Sequence, residues 1–144
     1  MNVLNITFNG INAEKKSIPK GNISVSNNIK IENVEEVKMG LDKAKQALKF
    51  VFSYKTAYAP DIALIELKGD LLGLVNAEDA TKIMEKWKKD KTLDKENAKS
   101  VINNVMNKCT IEVILLAREL GLPSPIPMPS VKDDSNNKAA TAKK

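Results

Sequence analysis

Between Leu48 and Leu71, apolar residues recur at alternate positions in two runs. Leu48, Phe50, Phe52, Tyr54 and Tyr58 stand on even positions against Lys49, Ser53 and Lys55 on odd ones. Ile65, Leu67, Gly69 and Leu71 then alternate with Glu66, Lys68 and Asp70. Alternation of this kind marks strands with one apolar and one charged face. Only a short turn around Ala59-Pro60-Asp61 separates the two runs, which leaves no room for a crossover helix, so they pair antiparallel. The apolar face of such a sheet must be covered by another part of the chain.

The residues before this hairpin extend the sheet. Leu4, Ile6 and Phe8 fall on one face with Asn5, Thr7 and Asn9 on the other. After the turn-like Pro19-Lys20-Gly21-Asn22, the period resumes at Ile23, Val25, Ile29 and Ile31. Residues 21–37 are therefore one long strand or two short ones with a bulge, and Gly40-Leu41-Asp42 reads as a turn. Short spacing between strands predicts a meander.

The second half supplies the cover. Asn76 is placed to cap a helix whose first turn holds Glu78 and Asp79, where the helix dipole favours anions. Ala80, Ile83, Met84 and Trp87 repeat at helical spacing. Asp94 caps a longer helix with a stripe from Ala98 through Val101, Val105, Cys109, Val113 and Ala117 to Leu120, stopped by Gly121 and Pro123. At ~1.5 Å per residue it runs about 39 Å, long for a small domain. Ile111, Ile114 and Leu115 widen its apolar surface and are the candidate contacts for a homo-oligomer, a dimer or a tetramer. Next, the segment 122–131 carries four prolines at alternate positions among apolar residues. It must be extended, and it is read as a strap across the protein's own sheet more readily than as a free proline ligand. The expected architecture is α+β: a single domain over 1–131, with an antiparallel four-stranded sheet covered on one face by a short and a long helix. The lysine-bearing tail 132–144 has no core-forming content and is expected to be disordered.

Composition narrows the function. The 144 residues contain no histidine and one cysteine, Cys109. Imidazole bases, Ser-His-Asp and Cys-His pairs, disulfides and CxxC sites are thereby excluded. Cys109 lies in the apolar stripe and reads as a buried inert thiol. Neither a catalytic group nor a metal or cofactor site is expected. The chain shows no apolar run near the roughly 18 residues of a membrane span and no secretory leader, so a cytoplasmic location is expected. Its net charge of +5 comes almost wholly from lysine, with Arg118 the single arginine. Arginine is the usual reader of phosphates and base edges, so a sequence-specific nucleic-acid binder is disfavoured. Lys82, Lys86, Lys88, Lys89 and Lys91 around Trp87 are the candidates for an alternative role on RNA or the ribosome. Glu78, Asp79, Glu85 and Asp90 nearly cancel them, which favours a solvated helix face. For Phe50 and Phe52, packing between sheet and helices is the expected role.

Four strands, a shorter helix, a longer helix and a proline-bearing extended segment, in that order, resemble the SecB family of export chaperones. The local match is Cys109, eight residues before Ala117-Arg118-Glu119, together with Pro123 and Pro129, six apart among apolar residues. The resemblance implies a tetrameric, ATP-independent holdase that keeps unfolded polypeptides in aromatic-lined grooves. It implies Phe50, Phe52, Tyr54, Trp87, Ile126 and Met128 as peptide-binding residues.

Overall fold

The computed structural model describes residues 1–38 and 44–126. Four strands, β1 (Asn2–Lys15), β2 (Ser24–Val37), β3 (Lys45–Ala59) and β4 (Ala63–Asn76), precede two helices, α1 (Ala77–Asp90) and α2 (Lys95–Glu119). All strand pairs are antiparallel, in the order β1-β4-β3-β2. The meander therefore runs from β2 to β4, and β1 lies beside β4 instead of β2. The connection through residues 16–23 makes this possible. Eight residues reach about 26 Å, and crossing three strand spacings needs roughly 14 Å. The turn expected at Gly40-Leu41-Asp42 lies outside the described residues.

Residues 21–37 hold one strand with a bulge. Ile31 pairs with Phe52 and Asn33 with Val51, so Glu32 is the extra residue. Two further bulges, at Leu4 and Asn9, break the period of β1. As a result Val3, Ile6, Phe8 and Ala13 pack on the core while Leu4 is exposed, where simple alternation would bury it with Ile6.

The even residues of β3 and the odd residues of β4 face the helices. Leu48, Phe50, Phe52, Ile65, Leu67 and Leu71 are inaccessible to solvent. Among the described residues the opposite face carries no helix, and it mixes half-buried Val51, Leu64, Leu72 and Leu74 with polar pairs such as Lys55–Glu66 and Lys49–Glu35 and with Asp70 accepting from Thr7 and Asn9. The helices divide the apolar face between them. α1 packs on β2, β3 and β4, whereas α2 packs on β1, β3 and β4. Buried Val101, Val105, Cys109, Val113 and Ala117 recur every four residues, the row expected of a helix crossing a sheet obliquely.

The helix ends follow local chemistry. Asp94 accepts from the Asn97 backbone N–H at 3.2 Å and from its side-chain amide at 2.7 Å. Burial pushes the Asp94 carboxyl upward, but these bonds outweigh it and hold the pKa below its usual value. Asn76 sits at the α1 N-cap without a capping bond, because its side-chain oxygen accepts from Lys45 Nζ on the paired strand at 3.0 Å. At the end of α2, the Leu122 N–H returns to Ala117 and the Gly121 N–H to Arg118, around a left-handed Gly121. This double bond pattern ends the helix and turns the chain back toward the sheet.

Candidate peptide-binding groove

The helices leave part of the apolar face uncovered, along β2. At one end of that stretch, Trp87 of α1 is buried against β2 and its indole N–H donates to Asn33 Oδ1 at 3.3 Å. The Lys91 ammonium lies 5.8 Å from the centre of the same ring. The strap closes the other end. Tyr58 Oη donates to the Pro123 carbonyl at 2.6 Å, and Asn27 Nδ2 donates to the Pro125 carbonyl at 3.2 Å. Thr56 orients the Asn27 amide by donating to its oxygen at 2.6 Å. Leu122 and Pro125 are buried beneath this crossing.

Between Asn27 and Asn33 the floor is Ile29 and Ile31, both half-buried and packed against the core. They pair in register with Tyr54 and Phe52. At about 3.3 Å per residue the stretch is roughly 20 Å long. Its inner wall is α2. Thr110 interacts with the Tyr54 hydroxyl, which burial raises above its ordinary pKa. Met106, one turn earlier on the same face of α2, is 41% exposed. Among the described residues β2 is an edge strand, so no further strand flanks the outer side of the groove. An aliphatic floor with an aromatic at one end, beside free backbone groups, suits an extended apolar chain rather than a small polar ligand.

The six residues implied for peptide binding take different places. Trp87 and Ile126 stand at the two ends of the groove, and Ile126 is half-buried. Tyr54 and Phe52 lie next to its floor and are themselves buried. Phe50 is fully buried farther along β3, between Val34 and Leu71. Phe50 and Phe52 thus present no surface to a bound chain and support the floor from within. Met128 lies outside the described residues. Ile29 and Ile31 are not among those six, although their alternation in an Asn- and Lys-rich run is legible in the sequence.

Lys82, Lys86, Lys88, Lys89 and Lys91 are all exposed on or just after α1. Lys86 pairs with Asp90 at 3.9 Å. Lys82 and Lys86 share a cleft of about 590 Å³ with Asp79, Asp94 and Glu96. Acids therefore punctuate this surface. Ile111 and Leu115 are 63% and 50% exposed, with Ile114 half-buried. Lys108, on their side of α2, places its ammonium 5.4 Å from the centre of the Phe8 ring, which turns that side toward β1. Cys109 is buried, and burial pushes its thiol up to about 12, so it stays protonated at neutral pH. Among the described residues, no three His, Cys, Asp or Glu side chains cluster as metal ligands, and no helix is long and apolar enough to cross a membrane.

No family model and no curated protein sequence matches the chain. Among solved structures, the chain is similar to the SecB-like chaperone Rv1957 of Mycobacterium tuberculosis, in complex with a ChAD peptide from the Rv1956 HigA1 antitoxin. The identity is 12%, the TM-score is 0.56, and the match covers 92% of this chain and 91% of that one. Nearly the whole chain thus has the fold of a SecB-like chaperone.

Proposed function

We propose that the protein is a non-enzymatic, ATP-independent holdase that binds extended apolar segments of unfolded polypeptides over Ile29 and Ile31. The observation that carries this reading is the uncovered aliphatic strip between Trp87 and the strap, next to an open strand edge. Each large apolar client side chain buried there contributes about 1.5–3 kcal/mol before ordering costs. Apolar burial carries the affinity, because Lys30 and Glu32 on the β2 edge oppose regular strand pairing with the client. The peptide carried by the similar mycobacterial structure supports the same class of ligand. The working unit is a cytoplasmic homo-oligomer, assembled through Ile111, Ile114 and Leu115 of α2. β1 adds an edge without a charged side chain from Asn2 to Ala13, whereas the β2 edge carries Lys30, Glu32, Glu35 and Glu36. Charges on an edge strand discourage pairing with another chain, and β1 lacks them.

Titration of a fluorescein-labelled peptide of alternating leucine and serine tests the reading. The wild-type chain should bind it with little change between 50 and 200 mM salt, and an Ile29→Asp/Ile31→Asp variant should bind roughly tenfold more weakly, about 1.4 kcal/mol. Absence of peptide binding, with single-stranded RNA bound instead and lost steeply over the same salt range, would reject it in favour of the lysine surface.

A further inference from the structure

The groove over Ile29 and Ile31 carries a charge at one end. Lys91 caps α1 in the left-handed region, at φ 59°, and its N–H returns to the Trp87 carbonyl. Its side chain folds back, so that the ammonium stands 5.8 Å from the centre of the Trp87 ring. The indole N–H is held in turn by Asn33 of β2 at 3.3 Å. The cation is thus tied, through one ring, to the strand that floors the groove. Asn33 follows Ile31 by two residues, no more than about 7 Å along the strand.

The neighbours of Lys91 leave this charge unanswered. It forms no ion pair among the described residues. Asp90, the adjacent acid, accepts from the Thr92 hydroxyl and pairs with Lys86 at 3.9 Å. Lys30 and Glu32 of β2 pair with each other at 3.4 Å. Glu32 also accepts from Ser53, the partner of Lys30 on the helix-free face, so both point away from the groove. Ile29 and Ile31 on the floor, Met106 and Thr110 on the wall and Ile126 at the strap are uncharged. Among the described residues, an extended client therefore meets an unpaired ammonium at the Trp87 end and no counterpart at the strap.

We propose that Lys91 makes the groove selective for apolar segments with an aspartate or glutamate within two residues of the apolar stretch. A lysine or arginine there is disfavoured. This rests on the client reading above. The pair forms at an exposed rim, so it sets selectivity more than affinity and is screened by salt.

Calorimetric titration of the full-length chain with end-capped, unlabelled leucine–serine peptides tests it. One peptide is neutral, one carries a flanking glutamate and one a flanking lysine. Wild type should bind the glutamate peptide about two- to fivefold more tightly than the neutral one, and the lysine peptide more weakly. Lys91→Gln should bind all three alike, whereas Lys91→Arg should keep the preference. Lys68→Gln, which removes the same charge from the opposite sheet face beside Ser53, should keep it too. Binding of the neutral peptide with no gain from glutamate, or a gain that survives in Lys91→Gln, overturns the role of Lys91. Loss of the gain in Lys68→Gln as well assigns it to net charge and overturns the proposal too. No peptide bound by wild type removes the client reading and this inference with it.

Discussion

Gly69 shows how closely single positions are determined in this sheet. It pairs with Phe8 on one side and Phe52 on the other, and the two rings meet edge-on with centroids 6.3 Å apart. A Cβ at residue 69 would lie 2.1 Å from the Thr7 carbonyl oxygen and 2.9 Å from the Phe52 ring. The first is backbone, so relief requires β1 to move. Gly69→Ala should cost about 2–3 kcal/mol, read as a melting temperature lower by roughly 5–10 °C in a thermal unfolding scan. An unchanged melting temperature would show that β1 yields freely there. The inward direction of residue 69 is legible from the alternation of β4, but its need for glycine is not. That need arises from the close approach of β1 beside the Asn9 bulge, which no local pattern announces. Ile29 and Ile31 repeat the lesson. Their shared face is legible, while their partial exposure depends on where α1 and the strap stop covering the sheet.

At the level of elements, α2 was the most legible, because a long helix with Asp94 at one end and Gly121 at the other carries its start and stop in its own residues. Strand order was not legible. Alternation identifies a strand and its faces but not its neighbour, and a connection as long as residues 16–23 permits either edge. α2 also carries apolar residues beyond those its own sheet requires. Ile111 and Leu115 sit one turn apart and point away from the core. Because they are exposed, Ile111→Asp/Leu115→Asp should leave the fold of the single chain within about 0.5 kcal/mol. It should lower the mass found by sedimentation equilibrium from an oligomer toward 15.8 kDa. Equal masses for variant and wild type would remove α2 from the interface.

For the whole molecule, one apolar sheet face is covered to different degrees along its width. The part under α1 and α2 is closed and forms the core. Along β2, between Trp87 and the strap, Ile29 and Ile31 stay half-buried, and the proposed function puts the client there. The inventory of the chain is consistent with this division, since burial and backbone bonding need neither histidine nor metal. The central claim is that the strip over Ile29 and Ile31 holds unfolded chains. Light scattering of a chemically denatured test protein, diluted into buffer with this protein, measures that property directly. Wild type should suppress the scattering without ATP, and Ile29→Asp/Ile31→Asp, assayed at a temperature where its unfolding scan shows it folded, should lose most of the suppression. Failure of the wild type to suppress aggregation, or equal suppression by a folded variant, would contradict the account.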